Sequence, residues 1–282
     1  MDIVKGIAMI KLALFDLDKT LLDDKSQLPE EFDRYIELLE EEGVKPGIAS
    51  ARTFFSIEEL FGDRMEKLAG TCDNGNTIFD GHSYKVLNCW KPEGIRYLIS
   101  FLDRDPDIAL VFSGMEYYYA DPLTVERCRS HGRSWMADRI RDIEEAIADG
   151  VEICNCHYIC FWENYPSILE CVKEKLEGPL KEAGENWDLM EAGWGWVAVC
   201  APGGGKAAGI RSLMKEEGVT PEETMVFGDS ENDISMFREV KFSYAMKNAS
   251  PAAIEAAAYI TEEDNNHNGA LKAALAQVRG RG

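Results

Sequence analysis

Asp16, Asp18 and Thr20 stand on alternate positions of LALFDLDKTLL, residues 12–22, directly after an apolar run. Two carboxylates two residues apart at the end of a buried segment repel each other and resist desolvation, so a cation must offset them. A second acidic group, GDSEND at residues 228–233, follows the apolar stretch TMVF in the same manner and brings Asp229, Asn232 and Asp233. If the two segments converge, Asp16, Asp18, Asp229 and Asp233 line one crevice as oxygen ligands. That donor set suits Mg2+, which keeps several waters and works with a few carboxylates and a phosphate. A carboxylate can also be a nucleophile, and a second can act as acid and then as base.

Transfer of a phosphoryl group needs donors around its oxygens. Lys206 follows the glycine loop PGGG at a helix start, and Ser50 stands in IASAR just past a strand end. The Ser50 hydroxyl and the adjacent backbone N–H groups, that of Ala51 among them, are suited to hold an anion. Taken singly, each piece has a plainer reading. A lone D-x-D is commonly a surface loop, and a lysine after glycines is commonly a solvated helix start.

The elements that must position these groups read as an α/β fold. KLALF is a buried strand, and Phe32, Tyr35, Ile36 and Leu39 fall on one helix face between Pro29 and Gly43. A strand ending GIAS, a helix TFFSIEELF, and a hairpin around Asp80-Gly81 follow. The same rhythm returns after residue 200, with a helix carrying Ile210, Leu213 and Met214, the strand TMVF, and a last helix from about Gly269. Alternating strands and helices predict a parallel sheet, whose ligands bind at the carboxyl ends of the strands.

The middle of the chain has a different character. All six Trp lie between Trp90 and Trp196. The patterning predicts a helix over KPEGIRYLISFL, two strands around Ser113-Gly114, one long charged helical stretch from Pro122 to Asp149, a helix near Ile168 to Leu176, and a hairpin near Gly193. This shift in composition predicts a separate domain over residues 82–199, inserted between core segments 1–81 and 200–282. Within it, CNCHYIC resembles a metal cluster, but Cys154, Cys156, Tyr158 and Cys160 alternate along a strand and read as one packed face.

The 282 residues carry 30 Lys and Arg against 51 Asp and Glu, a net charge of −21. Such a surface repels nucleic acid and anionic membranes. No stretch approaches a membrane span, and Lys5 and Lys11 interrupt the N-terminal apolar run, which argues against a signal peptide. Eight Cys without a C-x-x-C pair fit free thiols in a cytoplasmic protein.

With the pieces taken in order, the chain resembles the haloacid dehalogenase (HAD) superfamily phosphatases of the Cof type. DLDKT matches the first family motif, SAR at 50–52 the second, Lys206 the third and GDSEND the fourth. The resemblance implies a Rossmann-like parallel-sheet core with an inserted α+β cap, and a Mg2+-dependent phosphatase acting on a small-molecule phosphate ester. It implies that Asp16 attacks phosphorus to form an aspartyl-phosphate and that Asp18 protonates the leaving oxygen, then activates water. It implies that Asp16, the Asp18 carbonyl, Asp229 and Asp233 hold the metal, with Asp233 acting through bound water. Ser50, Ala51, Lys206 and Asn232 would hold the phosphoryl group, and Asn74 and Gly75 of DNGN would border the substrate. Ala51 replaces the family's usual glycine, Lys206 lacks the glycine that commonly follows it, and Asn268 stands where an aspartate is common. The motifs leave open a sugar phosphomutase or phosphotransferase on the same fold. A catalytically silent regulator is a third reading, against which every expected catalytic residue weighs. The expected substrate is a sugar phosphate chosen by the inserted domain; the oligomeric state stays open.

Overall fold

Leu12 to Phe15 are fully buried, with Ala13 and Phe15 packed on one side and Leu12 and Leu14 on the other. A segment covered on both faces is the centre of a layered sheet. The computed structural model describes residues 9–100, 108–161, 170, 188–193, 196–200 and 203–280. The first part of the chain runs β1 (Leu12–Phe15), α1 (Phe32–Glu41), β2 (Lys45–Ala49), α2 (Phe54–Phe61), β3 (Ala69–Cys72), β4 (Thr77–Asp80) and β5 (Ser83–Val86). The middle runs α3 (Pro92–Ile99), β6 (Ile108–Ser113), β7 (Tyr118–Ala120), α4 (Pro122–Ser130), α5 (Ser134–Ala137), β8 (Ile140–Asp142), α6 (Ile143–Ala148), β9 (Asn155–Cys160), β10 (Asp188–Gly193) and β11 (Trp196–Cys200). The last part runs α7 (Lys206–Glu217), β12 (Thr224–Gly228), α8 (Ile234–Phe237), β13 (Phe242–Ala245), α9 (Pro251–Ala256), β14 (Tyr259–Ile260) and α10 (Gly269–Val278).

Two sheets result. The larger has the order β14-β13-β12-β1-β2-β3-β4-β5, with β4 antiparallel to both of its neighbours, β3 and β5, and the other pairs parallel. On one face lie Phe32, Ile36 and Leu39 of α1 and Leu271 and Leu275 of α10; on the other lie Ile210, Leu213 and Met214 of α7. The smaller sheet has the order β10-β11-β9-β6-β7-β8 and is antiparallel except for β7 beside β8. Cys156 and Tyr158 of β9 share one cluster with Ile95 and Leu98, and Ile159 belongs to the opposite one. The expected shared face holds for Cys156 and Tyr158 only: Cys154 precedes β9 and packs in the cluster of the larger sheet, and the Cys160 side chain lies outside the described residues. Cys72, Cys89, Cys128, Cys154 and Cys156 are free thiols.

Two expectations need correction. The stretch from Pro122 to Asp149 is three short helices and a strand, not one helix. Gly132 takes φ 74°, which ends α4, and Ile140–Asp142 pairs with β7 as β8. The boundary drawn at residue 81 also cuts the β4–β5 hairpin, since β5 completes the larger sheet. The helix expected near Ile168 to Leu176 and the side chains of Trp194 and Trp196 lie outside the described residues. Among the described residues, no helix is long and apolar enough to cross a membrane.

Candidate active site

Strands β1 and β12 are parallel neighbours with Phe15 opposite Phe227, so Asp16 and Asp229 leave the sheet side by side at its C-terminal edge. The Asp16 N–H donates to the Phe227 carbonyl at 2.9 Å, extending the ladder to the C-terminal edge of the sheet. Beyond β12 the chain turns through Ser230 into a short 3₁₀ segment that carries Asp233 back beneath Asp229. One Asp233 oxygen accepts the backbone N–H groups of Asp229 at 2.9 Å and Ser230 at 3.0 Å. Gly228 is required here, because a Cβ would lie 2.5 Å from the Asp233 Cγ. The Ser230 hydroxyl, in turn, holds the Asn232 side-chain oxygen at 2.7 Å.

Lys206 opens α7 and is completely buried. Its Nζ donates to Asp16 Oδ1 and to Asp233 Oδ1, each at 2.6 Å. The helix start is set by close backbone contact. Gly75 (φ 87°) packs so tightly that a Cβ would lie 2.0 Å from the Gly205 carbonyl oxygen. Gly75 and the buried Asn74 therefore brace the loop that delivers Lys206. Ser50 follows β2; its N–H donates to the Thr71 carbonyl, its carbonyl accepts the Asn74 N–H, and its Oγ accepts the Arg52 N–H at 3.1 Å. Ala51 presents its carbonyl to Asn155 Nδ2 at 3.2 Å, so the turn touches the end of the smaller sheet.

Asp18 takes a different direction from the other acids. Asp18 has ψ 123° and Lys19 the left-handed φ of 60°, which breaks the turn after Asp16; Asn248 pins it through the Lys19 carbonyl. The Asp18 carboxylate is gripped in fork geometry by Arg52, Nε to Oδ2 at 2.9 Å and Nη2 to Oδ1 at 2.6 Å. Thr20 Oγ1 donates to Asp229 Oδ1 at 3.0 Å. Sequence reasoning assigned no role to Arg52 or Thr20. Both stand inside the quoted motifs, and the alternation Asp16, Asp18, Thr20 was the signal for the second.

The electrostatics follow from burial. Desolvation lifts the Asp16 carboxyl well above its ordinary range; Lys206 opposes this, and Asp233 and Asp229 add to it. Asp229 is pushed up to about 7, by burial first and Asp233 next, against the Thr20 hydrogen bond and Lys206. Burial pulls the Lys206 ammonium down, but Asp16 and Asp233 outweigh it and hold the charge. Three acids and one lysine thus leave a deficit of positive charge. Carboxylate oxygens of Asp16, Asp229 and Asp233 come within 4.8 Å of one another, and all three residues are buried. Hard oxygen donors at that spacing, with charge left to neutralise, fit Mg2+. The Asp18 side chain stands outside this group.

A family model described as haloacid dehalogenase-like hydrolase matches residues 13–273. The Escherichia coli (strain K12) protein 5-amino-6-(5-phospho-D-ribitylamino)uracil phosphatase YbjI is 25% identical over 269 residues, 93% of this chain and 94% of its own. Phosphatase YwpJ of Bacillus subtilis (strain 168) is 26% identical over 277 residues, 92% of this chain and 96% of its own. The crystal structure of SMU.1108c from Streptococcus mutans UA159 superposes with a TM-score of 0.78 at 21% identity, covering 96% of this chain and 99% of that one. The match spans both acidic segments, the lysine between them and both sheets, and the chain belongs to the haloacid dehalogenase-like hydrolases.

Proposed function

We propose that this protein is a Mg2+-dependent phosphatase that hydrolyses a small phosphorylated metabolite of the sugar phosphate class. The observation that carries the reading is the buried Lys206 bridging Asp16 and Asp233 at 2.6 Å each, beside Asp229. A carboxylate so placed is oriented by a fixed cation and aimed along the strand edge where a phosphoryl group would dock.

In this reading an Asp16 oxygen attacks phosphorus, the bond to the ester oxygen breaks, and Asp18 gives its proton to the departing alkoxide. Asp18 then removes a proton from water, which attacks the phosphorus of the Asp16 acyl phosphate and frees inorganic phosphate and the Asp16 carboxylate. Lys206 and the Ser50 hydroxyl carry the phosphoryl oxygens, and Arg52 orients Asp18. Mg2+ held by Asp16, Asp229, Asp233 and the Asp18 carbonyl would supply positive charge against those oxygens.

The inserted segment expected over residues 82–199, which carries the smaller sheet, would serve as a cap over this edge. Its contacts with the core support that reading: Asn155 with Ala51, the Tyr118 ring against Phe55, and Arg139 with Glu59. The sugar assignment is supported by the 25% identical relative, whose name specifies a ribityl phosphate. The test is phosphate release from a panel of sugar, nucleotide and aryl phosphates with and without Mg2+. Asp16→Asn is expected to keep its circular dichroism and thermal transition and to lose turnover by about a thousandfold or more. Wild-type rates from that variant, with deamidation excluded by mass, would remove Asp16 as nucleophile.

A further inference from the structure

Each of the three carbonyls in the turn Ser50-Ala51-Arg52 is taken by a donor from elsewhere in the chain. The Ser50 carbonyl accepts the Asn74 N–H at 3.2 Å, and the Arg52 carbonyl accepts the Asp73 N–H at 2.8 Å. The Ala51 carbonyl between them accepts Asn155 Nδ2 at 3.2 Å, from the first residue of β9 in the smaller sheet. Asn155 is completely buried, and its Oδ1 accepts the Cys156 N–H at 3.0 Å. An oxygen facing an N–H and a nitrogen facing a carbonyl fix which way the amide is turned. The preceding residue makes the reverse contact: the Cys154 carbonyl accepts Nδ2 of Asn76, also completely buried, at 2.8 Å. Each sheet thus gives one side-chain amide to a backbone carbonyl of the other, and the two bonds set β9 against the turn.

The Asn155 bond reaches the Ser50 hydroxyl through one peptide unit. The Ala51 carbonyl and the Arg52 N–H belong to the same planar trans group and point in opposite directions. That N–H donates to Ser50 Oγ at 3.1 Å. Asn155 therefore heads a chain of two hydrogen bonds that ends on the buried hydroxyl, and bonds in such a chain polarise one another. A hydroxyl that accepts from one direction keeps its own proton for an acceptor in another. Without the Arg52 N–H the Ser50 hydroxyl is a free rotor; with it, the proton has a defined direction.

We infer that Asn155 is a positioning residue for the phosphoryl group: it acts through the Ala51–Arg52 peptide to aim the Ser50 hydroxyl, so that the smaller sheet completes the anion site of the larger. The inference rests on the phosphatase reading above, which gives Ser50 a phosphoryl oxygen to hold. Asn155 acts at one remove, since its amide is spent on the Ala51 carbonyl and the Cys156 N–H. The flanking contacts from Asp73 and Asn74 are backbone bonds, which side-chain replacement leaves in place. The Asn155 contact is made by a side chain, so it can be removed alone.

The experiment is a double-mutant cycle of Ser50→Ala and Asn155→Ala, read by titration calorimetry of inorganic phosphate in the presence of Mg2+. Asn155→Ala is expected to weaken phosphate binding by about three- to tenfold, on the order of one buried neutral hydrogen bond. On the Ser50→Ala background the same change is expected to cost less than about twofold, because its effect passes through the hydroxyl. Losses that multiply in the double variant, or wild-type affinity in Asn155→Ala, overturn the inference. Asn155→Asp keeps an acceptor for the Cys156 N–H and donates to the Ala51 carbonyl only when protonated. Its phosphate affinity, taken relative to wild type at each pH, should recover as pH falls from about 8 to about 5, which a packing defect does not produce. A deficit constant across that range also overturns the inference, and this comparison decides the matter if circular dichroism shows Asn155→Ala unfolded. Failure of wild-type protein to release phosphate from every ester instead overturns the phosphatase reading beneath it.

Discussion

Arg52 and Asp18 are joined by two near-parallel hydrogen bonds across 34 residues of chain, with the arginine three-quarters buried and the carboxylate half exposed. The pair fixes where the Asp18 carboxylate points, while Asp16 next to it is fixed by Lys206. The two acids of D-x-D thus have separate cationic partners and separate orientations.

Arg52→Lys keeps the charge but cannot reproduce the fork. The expected outcome is a fall in kcat of about tenfold on a sugar phosphate, whose alkoxide leaves poorly, and a smaller fall on an activated aryl phosphate. The thermal midpoint should move by only a few degrees, since partly exposed pairs contribute about 1 kcal/mol or less. Single-turnover kinetics on the two ester types measure this. Equal losses on both would detach Arg52 from proton transfer.

Lys206→Met removes the buried ammonium from between Asp16 and Asp233. Stripping one partner from a buried charge group costs about 3–5 kcal/mol, because the remaining carboxylates stay desolvated and uncompensated. Urea unfolding of the variant should show that loss without metal. Millimolar Mg2+ should recover a larger share of stability in the variant than it adds to the wild-type protein. A variant as stable as wild type in EDTA would contradict the charge balance described here.

Asp229→Asn tests the metal without relying on turnover. Mg2+ at a hundredfold excess over its dissociation constant should stabilise the wild-type protein by about 2.7 kcal/mol, or roughly 5 °C or more in the thermal midpoint. The variant keeps a side-chain oxygen for Thr20 but loses the charge, and its Mg2+-dependent shift should shrink to a small fraction. An undiminished shift would place the cation elsewhere.

The core of the site was legible because its residues are short-range: Asp16, Asp18 and Thr20 on one turn, Asp229 to Asp233 on another, and Lys206 at a helix start. Each motif reports its own strand end, and a parallel sheet brings those ends together. The Arg52–Asp18 fork and the Thr20–Asp229 bond were not legible, because they depend on tertiary placement across 34 and 209 residues. The charged stretch after Pro122 misled for a local reason. Helix-favouring residues mask Gly132 (φ 74°) and a three-residue strand that exists only through pairing with β7. Asp73 also passed as one letter of DNGN; nothing in its sequence neighbourhood announces complete burial.

That burial yields the last prediction. The Asp73 carboxyl is lifted from an ordinary 3.8 to about 7 by desolvation, against weaker opposing hydrogen bonds from the Cys72 thiol, the Phe54 N–H and Thr77. The unfolded chain ionises this group above pH 4, whereas the folded chain keeps its proton until about pH 7. Between those values the folded state binds more protons, so the stability from this residue falls as pH rises and is constant above the window. The slope is about 1.4 kcal/mol per pH unit and the total about 4 kcal/mol, an upper bound for one carboxyl. Asp73→Asn has no proton to lose. The variant should therefore be the more stable protein at pH 7.5, with its advantage shrinking steadily towards pH 4.5. Urea unfolding free energies of both proteins across that range give the difference directly, and other titrating groups, such as the buried His157, cancel in it. A variant less stable at pH 7.5, or a difference independent of pH, would mean that Asp73 is ionised in the folded state and carries a partner that neutralises it.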